Sequence, residues 1–206
     1  MDGTSFSDKF ENFLDADNLK TQLIFGALFI AVFDYFKGTL INRIKGFYTF
    51  EMVDGKWKDD EYKREVLSKI KSEKSNKTIR ATIAWLVDIN AFSKEDAQNF
   101  KKMAELRDKL AHDMTTWLFE GFPTEWIKLY CDMVTLHKKF DRWWIENIEI
   151  PIAGLPDGGE LEDVDWDEVT SVGSHFIDIM TDLALLNGEK YKDILAELKG
   201  EKNNGQ

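Results

Sequence analysis

The run Leu23–Phe33, LIFGALFIAVF, carries no charge across eleven residues. A stretch like this must be buried, either in lipid or in protein. It is bounded by Lys20 and Gln22 on one side and Asp34 and Lys37 on the other. A helix crossing a bilayer needs about 20 apolar residues, so the run is too short to span. It reads instead as the centre of a long buried helix over residues 17–46, around which the other elements must arrange themselves. The leading stretch MDGTSFSDKFENFLDAD is acidic and polar, unlike a secretory signal. No membrane association is expected, and a cytoplasmic setting fits.

Spacing along the rest of the chain is helical. Asp54-Gly55 marks a turn within VDGKWKDD, and a charged helix follows over about residues 60–74, broken by SNKT. Ile79, Ile83, Leu86 and Val87 recur at i, i+4, i+7 and i+8, one face of a helix. Ser93 with Asp96 three residues on has the form of a capping box and opens the next helix. Pro123-Thr124 begins another, to about residue 147. Beyond it the chain turns rich in Pro and Gly, and then acidic: Asp157 to Glu168 contains seven acids and no base. That stretch reads as a solvated connection, with an acidic docking element as the other possibility. Two shorter helices, about 168–187 and 189–199, would close the chain, separated by Asn187-Gly188 as a C-cap. No strand-length alternation and no internal repeat stand out. The expectation is an all-α bundle of long up-down helices over residues 1–150, with the acidic loop and C-terminal helices of 151–206 packed on the same domain.

With 43% hydrophobic residues, the composition supports a real core. The 27 basic and 38 acidic residues leave a net charge of −11, which argues against a broad nucleic-acid-coating surface but not against a local basic cleft. The single cysteine, Cys131, cannot form an internal disulfide, and three scattered histidines give no zinc pattern. No phosphate loop, dinucleotide fingerprint, nucleophile elbow or zinc-protease motif is present. No metal or cofactor is expected.

One helix breaks its own pattern. On a wheel that sets Phe100 at zero, Met103, Ala104, Leu110, Ala111 and Met114 form an apolar stripe, and Arg107 falls in its middle. His112 lies about 140° away from Arg107, while Asp108, four residues before His112, shares its side and could hydrogen-bond to it. A guanidinium cannot be desolvated alone. Either Arg107 pairs with an acid or snorkels past the core edge, or this face meets a cleft or a second subunit, where the guanidinium fork would take an anion.

The segment Leu106-Arg107-Asp108-Lys109-Leu110-Ala111-His112 resembles the Arg–x4–His signature of HEPN domains, preceded as in that family by a helix (TIRATIAWLVDI) and a short polar break. The resemblance covers about residues 20–147. It implies a HEPN-like helical bundle that forms a homodimer, with the motifs of two chains meeting. It further implies a metal-independent endoribonuclease of a bacterial toxin–antitoxin or phage-defence system. Arg107 and His112 would be the catalytic pair, with Asp108 beside them setting the imidazole tautomer. Lys102 and Lys109 would bind RNA. Histidine exchanges protons near neutral pH, and a fixed guanidinium can hold the charge of a phosphorane-like transition state. The other reading is a non-catalytic HEPN-fold module that dimerises or docks a nucleotide or a protein partner. Met114 stands where some family toxins carry a tyrosine for adenylylation by their antitoxin, so that mode of pairing is not expected.

His137 lies on the stripe of Tyr130, Met133, Val134, Phe140 and Trp144 and reads as a core or interface histidine, whereas His175 reads as a partly exposed helix-start residue. Trp117, Trp126, Trp143 and Trp144 read as packing residues rather than base-stacking platforms.

Overall fold

The computed structural model describes residues 5–49, 52–71, 76–154, 164–166 and 169–185. The fold is helical: α1 (Phe6–Leu14), α2 (Ala16–Tyr48), α3 (Asp60–Glu65), α4 (Lys77–Asp88), α5 (Lys94–Glu120), α6 (Glu125–Trp144), α7 (Ile150–Ala153) and α8 (Val172–Leu185). A 3₁₀ turn follows α3 at Leu67–Lys69, and a π-helical turn at Ile145–Glu149 joins α6 to α7. The described secondary structure otherwise consists of a hairpin, β1 (Met52–Val53) with β2 (Lys56–Trp57). Both central residues of its turn have positive φ, Asp54 at 51° and Gly55 at 72°, the geometry of a tight hairpin turn.

Helix α2 is the axis of the bundle. Phe29, Val32, Phe36, Leu40 and Ile44 recur every three or four residues and are each 0% exposed. Against them pack Leu86 of α4, Met103 and Leu110 of α5, Met133 and Phe140 of α6, and Ile177 of α8. By length and composition α2 could cross a bilayer, but its apolar stripe is the core of this bundle and is covered by α4, α5 and α8.

Helix α5 starts as its sequence dictates. The Ser93 hydroxyl accepts from the Asp96 amide at 3.0 Å, and the Asp96 carboxylate accepts from the Ser93 amide at 2.7 Å. Asp96 also accepts from Lys139 of α6 at 2.5 Å, tying the two helices together. Partial burial raises the Asp96 carboxyl, but the hydrogen bonds from Lys139 and Ser93 outweigh it and hold the group below its ordinary range. At Asp113 the helix kinks, with φ −123° and ψ 22°. Beyond the kink Trp117 meets Trp126 at 4.8 Å, and Phe119 meets Phe6 and Phe13 of α1.

Several elements differ from their sequence expectation. The charged helix shortens to Asp60–Glu65 and its 3₁₀ turn, with residues 72–75 outside the described set. Helix α1 forms in the stretch read only as a polar leader, under its own capping box of Ser5 and Asp8. Helix α8 starts at Val172, not near 168, because the Ser171 hydroxyl accepts from the Ser174 amide at 3.0 Å and serves as N-cap. The expected helix over 189–199, its C-cap at Asn187-Gly188 and most of the acidic 157–168 stretch lie outside the described residues.

Candidate functional site

Helix α5 positions every residue of the Arg–x4–His segment, but not on the face first expected. Its buried residues are Phe100, Met103, Leu106, Leu110 and Leu118, while Ala111 is exposed. The buried face of its straight part therefore centres roughly 45° round the helix from Arg107, because Leu106 joins it and Ala111 leaves it. Arg107 stands on the flank of that face rather than in its middle.

There the guanidinium is shared between two carboxylates. One terminal nitrogen donates to Asp34 of α2 at 2.8 Å, the other to its neighbour Asp108 at 3.3 Å. Its side chain is 28% exposed and that of Asp34 41%, so this pair sits at the bundle edge. The hydrogen bond to Asp34 holds the guanidinium still more firmly protonated. The Arg107 Nε is buried and makes no hydrogen bond among the described residues. That buried N–H is left unspent.

His112, Asp108, Lys102 and Lys109 are all exposed. The Asp108 carboxylate is engaged with Arg107, not with His112, so the expected carboxylate–imidazole bond is not made. His112 has no side-chain partner among the described residues, nor does Lys109. Lys102 reaches Asn99 at 3.4 Å. Arg107 and His112 leave the helix about 140° apart and about 7.5 Å along it. Within one chain they do not converge on a common phosphate.

Beside Arg107 lies an open groove of about 930 Å³ between α4 and the first half of α5. It is floored largely by Ile79, Ile83, Val87, Ala97 and Ala104, and edged by Lys37, Arg80, Lys94, Lys101, Asp88 and Asp108.

Sequence reasoning missed a second polar cluster, inside the bundle. The Asp141 carboxylate of α6 is 2% exposed and accepts from Arg43 of α2 at 2.7 Å, from Ser174 of α8 at 2.6 Å and from Ser171. His137, one turn earlier and 0% exposed, brings its Nδ1 to 3.1 Å from the Ser174 hydroxyl and 3.4 Å from Asp141. Burial among Tyr35 and Phe36 pushes this imidazole below its ordinary value; the Asp141 charge pulls the other way, and Arg43 and Lys138 add to the depression. The residue types are those of a hydrolase triad, but the wiring is not. A relay needs the nucleophile and the acid on opposite ring nitrogens. Here Ser174 and Asp141 both face Nδ1, and the buried Nε2 has no hydrogen-bond partner among the described residues. The cluster clasps α8 to α6 and α2. A hint was present in the i, i+4 placement of His137 and Asp141 on an otherwise apolar stripe; Arg43 and Ser171 carried no local signal. Trp126 and Trp144 are buried and Trp117 and Trp143 half-buried, all packed into the bundle.

Compared with protein-family models, curated proteins and solved structures, the chain matches none, so the likeness to HEPN domains stands on Leu106–His112 and its helical setting alone.

Proposed function

We propose that the protein is a HEPN-like, metal-independent endoribonuclease that acts as a cytoplasmic homodimer in a bacterial defence or toxin–antitoxin module. One observation supports this most: His112 is exposed and has no side-chain partner among the described residues, on the same straight helical segment as Arg107, whose side chain is partly exposed. Helices are under no packing pressure to keep a histidine at such a position. A two-fold axis beside α5 would bring Arg107 of one chain towards His112 of the other and remove the divergence inherent in a single helix. The guanidinium would then neutralise the scissile phosphate while the imidazole moves the proton of the 2′-hydroxyl. Asp34 and Asp108 would orient the guanidinium, and Lys102 and Lys109 would hold the flanking backbone.

A second reading has its own support. Arg107 already carries two carboxylate partners, which is how an arginine at a core edge is satisfied without any substrate. On that reading the segment belongs to a binding module. Incubating wild-type protein and His112→Ala with total RNA in EDTA separates the two. The nuclease reading expects discrete products from wild type and about a hundredfold or greater loss in the variant. Equal cleavage by both proteins, or none by a folded dimer, rejects it.

A further inference from the structure

The groove between α4 and α5 inverts the sign of the molecule. The chain carries a net charge of −11, yet five cations (Lys37, Arg80, Lys94, Lys101 and Arg107) edge the groove against two acids. Asp88 is engaged by Lys69 at 2.5 Å, Arg107 is shared between Asp108 and Asp34, and Lys101 reaches Glu105 at 3.6 Å, so the positive surplus rests on the other three cations. Lys37, Arg80 and Lys94 have no side-chain partner among the described residues. The floor is apolar and regular: Ile79, Ile83 and Val87 succeed one another every four residues along α4, facing the small side chains Ala97 and Ala104 of α5. From Lys94 to Asp108 the trough runs about 21 Å, four helical turns.

We propose that this groove is the docking site for an acidic amphipathic α-helix of a partner protein. An apolar helix face set on branched aliphatic side chains, with carboxylates falling on flanking cations, is the complement of these residues. Single-stranded nucleic acid fits less well. The aromatic rings under the groove, Phe33 and Phe100, are 3% and 4% exposed, so bases would find no stacking platform. The assignment does not require that Arg107 and His112 cut RNA. If they do, the site is also a point of control. The line of the groove along α5 passes between Arg107 and His112, and a helix seated in it ends against Arg107, one turn short of His112.

The test is selection from a displayed library of random 16-residue peptides on the full-length protein, repeated on Ile83→Asp and on Arg80→Glu/Lys101→Glu. All three sites are at least partly exposed, and far-UV circular dichroism and thermal melting confirm that each variant folds. The expected winners are net acidic, carry Leu, Ile or Phe at i, i+3 or i+4 and i+7, gain helicity on binding, and lose at least tenfold in affinity on either variant. No enrichment, basic or unpatterned winners, or winners that bind both variants as well as wild type would overturn the proposal. So would a fluorescent 12-nucleotide RNA that binds wild type and is lost on Ile83→Asp, because the groove would then be a nucleic-acid channel. Neither readout involves RNA cleavage, so failure here and failure of the nuclease reading are told apart.

Discussion

Asp141→Ala should detach α8 from the bundle while leaving the α2–α5–α6 core standing. The wild-type carboxylate is 2% exposed and takes three donors from two other helices. Truncation leaves those donors facing a void. Arg43 is 27% exposed at its side chain and can turn partly to water, which softens its loss. Ser174 keeps His137 Nδ1 as a possible acceptor at 3.1 Å. Ser171 keeps nothing equivalent among the described residues. Breaking a buried ion pair by removing one partner costs about 3–5 kcal/mol, and these two partial rescues place the expected loss near the lower end. For a chain of this size that is a fall of roughly 10 °C in Tm. Urea unfolding followed by circular dichroism gives the global loss, and hydrogen exchange shows where it falls. Amides of Val172–Leu185 should lose protection well before those of Lys94–Leu110. A loss below about 1 kcal/mol with α8 still protected would refute the clasp.

The same cluster makes stability depend on pH. The folded His137 pKa lies below its ordinary 6.5, so beneath that pH the unfolded chain binds more protons. Its contribution is complete above about 6.5 and is lost as pH falls towards the depressed folded value. Chemical denaturation at several pH values between 7 and 5 should show a steeper decline for wild type than for His137→Phe, and parallel curves would refute this. Ser93→Ala should cost about 1 kcal/mol by removing half of the capping box, and Asp96→Ala about 1–2 kcal/mol because Lys139 also loses its acceptor; equilibrium unfolding checks both, and costs under 0.3 kcal/mol would count against the cap. Asp34→Ala should cost no more than about 1 kcal/mol, since the Asp34–Arg107 pair is shallow. A loss above about 2 kcal/mol would show that Arg107 is held by the core after all.

What the sequence revealed depended on whether the signal was local. Helix α2 was legible because an uncharged run of its length has few fates, and the start of α5 because Ser93 and Asp96 are three residues apart. Helix α1 obeys the same rule: Phe6, Phe10, Phe13 and Leu14 fall at helical spacing behind Ser5, but the surrounding acids disguised it. The hairpin was visible only as its turn, since two residues per strand cannot alternate recognisably. Of the Asp141 cluster only the i, i+4 spacing of His137 and Asp141 was local, and its other contacts link residues 30, 33 and 98 apart. Arg107 was misplaced on its wheel for a physical reason. Ala111 was counted as apolar and therefore inward, yet alanine loses little by facing water, whereas Leu106 had to be buried.

The two polar clusters differ in how completely their groups are partnered, and the difference follows from where they sit. Asp141 meets three donors, two of them hydroxyls in the interior, so apart from the hemmed-in His137 Nε2 its cluster has no capacity left for another molecule. Around Arg107 the balance is reversed. Its guanidinium is shared by two carboxylates, while the His112 imidazole and the ammonium or guanidinium groups of Lys37, Arg80 and Lys94 have no partner among the described residues, and most border one open groove. Solvated at the groove rim, these side chains cost the fold little and remain open to another molecule. Helix α5 therefore divides its surface between core and solvent. Met103 and Leu110 close the core, while the groove flank and His112 face outwards, and the kink at Asp113 ends the straight segment just after the last of these residues.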